Sequence, residues 1–160
     1  MAEKPNHNES KLQIRCVTWF KYQYPHLAPL FFAVPNGGSR DKHEAAIMKA
    51  EGVTAGVSDL ILNIRGGSYT QLAIEMKDTK GTQSAAQKRY QRYAEAAGIK
   101  YIICRSYEYF QDEVRNYIDT INPLILQHLS DIHQEEQRQE VEEARLQYQK
   151  RCNTTIKKQS

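Results

Sequence analysis

Two apolar, strand-like runs, "SDLILNI" at 58–64 and "YTQLAIEMK" at 69–77, each carry an acidic side chain among hydrophobic neighbours. Asp59 lies in the first and Glu75 in the second, with Lys77 two residues further on. Isolated carboxylates are costly to bury unless they are paired or bind a metal. Two of them on adjacent strands supply hard oxygen ligands for Mg²⁺, a cation that keeps several waters when bound. A lysine on the same face can orient or help deprotonate an attacking water and stabilise charge on a phosphate. Together the three residue types suit phosphodiester hydrolysis. The same spacing also arises as solvated cross-strand charges, so the elements that position these residues carry much of the argument.

Strand side chains have period two, so Glu75 and Lys77 share a face. Asp59 joins them only if the hairpin pairs odd residues with odd. A three-residue loop at Gly66–Ser68 does this, setting Arg65 opposite Tyr69 and Asp59 opposite Glu75. A two-residue Gly-Gly loop puts Asp59 on the wrong face.

Other elements follow from periodicity and punctuation. Residues 8–24 read as a helix with Asn8 as N-cap, Glu9 at its positive end, and Leu12, Cys16, Trp19 and Gln23 near one face, with Phe20 and Ile14–Val17 alongside. Pro25 ends it, and "PLFFAVP" at 29–35 is a short strand between prolines. "NGGSR" is a loop and 41–52 a short helix stopped by Gly52. "SAAQKRYQRYAEAAG" at 84–98 is a helix with Ser84 and Gln87 in a capping-box pattern and Gly98 as its stop. "IKYIIC" at 99–104 is a buried strand, parallel to the Glu75 strand through the intervening helical crossover. A further amphipathic helix covers 106–118.

The chain divides into a domain over 1–120, a helical extension over 121–150 rich in Gln, Glu and Arg, and a disordered tail over 151–160. Hydrophobic content of 40% and charged content of 26% exclude a disordered polar chain. No apolar run approaches the ~20 residues of a membrane helix, and the N-terminus lacks the apolar core of a secretory signal. These features predict a cytoplasmic protein. Cys16, Cys104 and Cys152 form no Cys-x-x-Cys pair, and their odd number opposes a complete disulfide framework. Residues 121–160 hold six basic and six acidic side chains, so the excess of three positive charges lies in 1–120. That surface is compatible with a polyanionic partner.

Four segments in order, "ESKLQ" at 9–13 with "WFKYQYP" after it, "VPNGGSR" at 34–40, "GVTAGVSDL" at 52–60 and "AIEMKDTKGTQSAAQ" at 73–87, resemble the VRR-NUC (virus-type replication–repair nuclease) family of the PD-(D/E)xK superfamily. The resemblance covers about residues 8–118. It implies an α/β fold, a central mixed sheet flanked by helices with a restriction-endonuclease-like core, and divalent-metal-dependent cleavage of DNA with Mg²⁺ or Mn²⁺. In that pattern Glu9, Asp59 and Glu75 match the acidic metal-site positions, Lys77 the catalytic lysine, and Gln87 a glutamine facing the site from the next helix. Gln87 also completes the capping box, and one side chain is not expected to fill both roles. The family usually has proline before the aspartate, where this chain has Ser58.

The implied enzyme is an endonuclease acting on branched DNA as a homodimer, similar to a Holliday-junction resolvase of phage or mobile-element origin, with no nucleotide cofactor. A restriction-type or flap endonuclease on the same fold, or a non-catalytic DNA-binding module, are the alternatives. Arg40, with the backbone amides of its glycine loop, and Lys80, Lys88, Arg89 and Arg92 are candidate contacts to the DNA backbone. "HEAAI" at 43–47 begins like a zinc-protease helix but has Ile47 where the second histidine belongs. The tyrosines read as core or boundary residues rather than as stacking platforms.

Overall fold

The computed structural model describes residues 7–35 and 42–157. The glycine loop at 36–40, with Arg40, lies outside them. Contacts separate two units, Met1–Asn122 and Pro123–Ser160.

The first unit is built on a four-stranded mixed sheet in the order β1-β2-β3-β4. Its strands are β1 (Phe31–Ala33), β2 (Leu60–Leu62), β3 (Leu72–Met76) and β4 (Lys100–Cys104). β1–β2 and β2–β3 are antiparallel and β3–β4 parallel. The helices are α1 (His7–Gln23), α2 (Lys42–Ala50), α3 (Ala85–Ala96) and α4 (Tyr107–Ile118). Pro25 does end α1, but the chain then makes a turn of 3-10 helix, Pro25–Leu30, before β1 begins. Pro29 and Leu30, read as strand in the sequence, belong to that turn.

Every residue of β3 is buried, on both faces. The even-numbered face, with Leu60, Leu62, Leu72, Ile74, Met76, Ile102 and Cys104, is apolar and buried with Cys16 and Phe20 of α1 and Phe110 and Val114 of α4. Phe20 packs on Phe31 with ring centroids 4.0 Å apart, and Trp19 meets Phe110 edge-on at 5.9 Å. Cys16 and Cys104 are buried free thiols in this layer, small hydrophobes as their apolar surroundings suggest. On the odd-numbered face Ala73 and Tyr101 pack with Ala94 and Tyr90 of α3. This face also carries Asp59, Glu75 and Lys77. A sheet covered on both sides explains why β3 reads as a continuous apolar run broken only by Glu75.

The hairpin reaches its register by an unexpected route. The pairs Leu60↔Ile74 and Leu62↔Leu72 have the parity that brings Asp59 beside Glu75. Yet the turn has two residues, Gly67 and Ser68, closed by reciprocal backbone bonds between Gly66 and Tyr69 of 3.1 and 2.9 Å. Carried straight on, that turn would pair the strands one residue out. Four steps separate Leu62 from Gly66 and three separate Tyr69 from Leu72, so an additional residue in 63–65 restores the phase. The displaced segment is held from α4: Tyr117 donates its hydroxyl to the Ile64 carbonyl at 2.7 Å, and Gly67 N–H donates to Thr120 O at 3.0 Å.

The second unit is helix α5, Pro123–Lys157. Proline suits the first helical position, where its missing N–H is not needed. Most described side chains are exposed, and Gln127–Asp131 and Arg145–Glu142 pairs run along the surface. The helix continues to Lys157, beyond the limit near residue 150 that the sequence pattern suggests.

Candidate active site

Glu75 is the centre of the cluster and is 0% exposed. Its Oε1 accepts a hydrogen bond from Lys77 Nζ at 2.7 Å and another from Gln87 Nε2. Its Oε2 accepts from the Tyr101 hydroxyl at 3.2 Å. Burial pushes the carboxyl above its ordinary range, and Asp59 adds to this, while the bond from Lys77 opposes it. The ammonium group is therefore placed where a buried carboxylate most needs a counter-charge. Lys77 itself is 8% exposed, and its backbone N–H continues the β3–β4 ladder to Cys104 O at 2.9 Å.

Asp59 enters at the head of β2. Its carbonyl accepts from Val34 N–H at 2.9 Å, tying it to the segment after β1. Its Oδ2 accepts from Met76 N–H at 2.8 Å, across the hairpin. Burial again raises the carboxyl; the Met76 amide and the Lys77 charge lower it, and Glu9 raises it.

Glu9 reaches the cluster from the first turn of α1, where it also suits the helix dipole. Its Oε1 accepts from Asp78 N–H at 3.0 Å, just past β3. The chain then folds back, with Lys80 and Gly81 N–H donating to Asp78 Oδ1. Arg105 clamps the same turn by donating to the Asp78 carbonyl at 2.6 Å.

Gln87 departs from expectation. Ser84 Oγ accepts from Gln87 N–H at 3.2 Å and Gln87 Oε1 accepts from Ser84 N–H at 2.8 Å, completing the capping box. The amide nitrogen of the same side chain donates to Glu75. The two roles treated as exclusive are filled together, because a primary amide is an acceptor at one end and a donor at the other.

The structure thus gathers Glu9, Asp59, Glu75, Lys77 and Gln87 in one place. Lys80 lies on the turn before α3, and Lys88, Arg89 and Arg92 lie on α3; all four are exposed. None is in an ion pair among the described residues. Ser58 is wholly buried at the entrance to β2. Nothing in the structure explains why serine stands there.

Sequence reasoning missed Tyr101, Gln83, Asp78 and Arg105. Tyr101 was within reach: a strand parallel to β3 places odd residues of β4 beside Glu75, and the register confirms Glu75↔Ile103. Gln83 donates to Gln91 Oε1 at 2.9 Å and to the Tyr101 hydroxyl at 3.4 Å, a contact with no local signature. Among the described residues, no three His, Cys, Asp or Glu side chains are arranged as a ready metal cage.

A mixed four-stranded sheet with an Asp, a Glu-x-Lys pair and a helix-borne glutamine on one face defines a nuclease fold of the PD-(D/E)xK type. The family model of the VRR-NUC domain matches residues 7–108, and the chain belongs to that nuclease family. A solved structure described as a VRR_NUC domain protein is similar, with a TM-score of 0.62 and 27% identity over 71% of this chain and 90% of that one. No curated protein matches the sequence. Among the described residues, no helix is long and apolar enough to cross a membrane.

Proposed function

We propose that this chain is a divalent-metal-dependent DNA endonuclease, selective for branched DNA in the manner of a Holliday-junction resolvase and active as a dimer. The observation that carries the reaction is the buried Lys77–Glu75 contact of 2.7 Å with Asp59 on the neighbouring strand, in a chain of the VRR-NUC family.

The donor set fits Mg²⁺ or Mn²⁺ by its chemistry, since carboxylate oxygens suit hard cations. Asp59 and Glu75 would hold the ion, with Glu9 contributing directly or through water. When bound, the metal offsets the carboxylate charges, lowers the pKa of a coordinated water and neutralises phosphate charge. Burial that raises both carboxyls supports this assignment, because a cation relieves that penalty.

The protein's own residues do the rest. Gln87 and Tyr101 fix the two oxygens of Glu75, so the carboxylate cannot rotate away from the site. Lys77, largely shielded from water, presents an ammonium beside the carboxylates. There it orients the nucleophilic water and stabilises the charge of the phosphorane-like transition state; attack on phosphorus breaks the P–O3′ bond, leaving a 5′-phosphate and a 3′-hydroxyl, while the proton of the water passes to solvent. Lys80, Lys88, Arg89, Arg92 and Arg40 supply backbone contacts that hold the duplex without reading its sequence.

The test is cleavage of a labelled four-way junction and a matched linear duplex, with Mg²⁺, Mn²⁺ or EDTA, by wild type and Lys77→Ala. Metal-dependent cutting of the junction alone, lost in the variant, supports the reading. Equal cutting of both substrates keeps the nuclease and removes the junction preference. Binding without cleavage in any metal points to a DNA-binding module.

A further inference from the structure

A cavity of about 660 Å³ opens between the loop at 53–57 and the first turns of α3. Thr54 and Ala55 form its loop wall, and Ala86, Arg89, Tyr90 and Tyr93 its helix wall. The loop wall lies close against the helix. Gly56 adopts φ +86°, and a Cβ added there would lie 2.4 Å from the Ala86 carbonyl carbon and 2.7 Å from Gln87 N. Backbone therefore packs directly on the helical turn that carries Gln87, so the cavity adjoins the turn that orients Glu75.

The lining suits one kind of ligand. Tyr93 is 67% exposed, with the Arg89 guanidinium 5.8 Å from its ring centroid. Tyr90 sits deeper, its ring 6.1 Å from that of Tyr101, whose hydroxyl reaches Glu75. Among the described residues the lining has two aromatic rings, small alanine side chains, one cation and no acidic side chain, which match a planar base bearing a phosphate. Stacked, paired bases present no free face and cannot enter such a cavity; an unpaired one can.

We propose that this cavity takes one unpaired base of the DNA substrate next to the cleaved strand, stacked on Tyr90 and Tyr93, with Arg89 on the adjoining phosphate. The inference rests on the nuclease reading and deepens it: the bound substrate presents an unpaired nucleotide at its branch point, where pairing is most readily opened. Tyr90 and Tyr93 then serve as stacking residues, against the core or boundary role that the sequence suggests.

The experiment places 2-aminopurine either unpaired at a branch or paired in a matched duplex, and titrates the full-length protein in Ca²⁺ or EDTA, where binding is read without cleavage. Wild type should quench the bright unpaired probe and leave the paired one, already dimmed by base stacking, unchanged. Tyr93→Ala should remove the quench and reduce the preference for unpaired over paired DNA about tenfold, and Tyr93→Trp should restore both. Equal quenching of both probes, or an unchanged preference in Tyr93→Ala, overturns the proposal. Equally tight binding of free 2-aminopurine deoxynucleoside monophosphate also overturns it, since the site would then take mononucleotides. Wild type that quenches the unpaired probe but cuts no DNA with Mg²⁺ or Mn²⁺ counts against the nuclease reading alone.

Discussion

Gln87 links the cap of α3 to the buried carboxylate of Glu75: its Oε1 accepts from Ser84 N–H while its Nε2 donates to Glu75 Oε1. Helix initiation and site geometry thus depend on one side chain. The two jobs separate by mutation. Ser84→Ala should cost about 1 kcal/mol of stability and leave cleavage within about twofold, since the Gln87–Glu75 bond survives. Gln87→Ala should cost a similar amount of stability and reduce kcat about tenfold or more. Chemical denaturation beside single-turnover cleavage checks both; equal kinetic losses in the two variants would refute the division.

Lys77 neutralises a carboxylate that has no solvent. Lys77→Met should reduce cleavage by about 10²–10³-fold while leaving DNA binding intact. It should also push the Glu75 carboxyl further up, because the Lys77 contact that opposes burial and Asp59 is lost and the Tyr101 hydrogen bond remains against them. The double variant Lys77→Met/Glu75→Gln should recover stability but not activity, since a neutral pair removes the unpaired buried charge. Thermal unfolding of the two variants decides the point.

Asp59 carries a pH signature. Its carboxyl is raised by burial, so the folded state binds its proton more tightly than the unfolded chain. Without metal, stability should therefore fall as pH rises from the ordinary carboxylate range through the raised value, and stay lower above it. Asp59→Asn should flatten that slope and raise the metal-free Tm, by up to about 1 kcal/mol in stability. Added Mg²⁺ or Mn²⁺ should raise the Tm of wild type and leave that of Asp59→Asn nearly unmoved. Calorimetry across pH, with and without metal, makes the comparison.

Gly56 and Gly52 both have positive φ, +86° and +97°, but only Gly56 lacks space for a Cβ. Gly52→Ala should cost about 1 kcal/mol from backbone strain alone. Gly56→Ala should cost more, about 3 kcal/mol with the clash added, and should lower activity by shifting the turn that holds Gln87. Equal Tm losses would show that the loop yields freely.

Some of this was legible in the sequence because it is local. Ser84, Gln87 and Gly98 bracket α3 by residue type alone, and the strand alternation fixes Glu75 and Lys77 on one face. The need for Asp59 to share it dictated the hairpin register. The turn was not legible: the pairing of Asp59 with Glu75 called for a three-residue loop at Gly66–Ser68, whereas Gly67-Ser68 turns and an extra residue in 63–65 precedes it, held by Tyr117 from a helix some fifty residues away. Gln87 was misjudged because the pattern shows one polar residue, not the two ends of an amide. Tyr101 was overlooked because a tyrosine in an apolar strand looks like core until the parallel register places it beside Glu75. Arg40 lies outside the described residues, so its part rests on sequence alone.

The phase shift in 63–65 also defines what this hairpin must avoid while it forms. The two-residue turn can close by itself, and zipping on from it without interruption gives a regular but slipped ladder. In that competitor Leu60 and Leu62 leave the layer of Phe20 and Phe110, and Asp59 and Asn63 enter it. The contact between Tyr117 and the Ile64 carbonyl then has no counterpart. Helix α4 thus acts as a proofreader of strand pairing: its docking rewards the ladder in which the carboxylates meet, so a chain that has docked α4 has already set Asp59 beside Glu75.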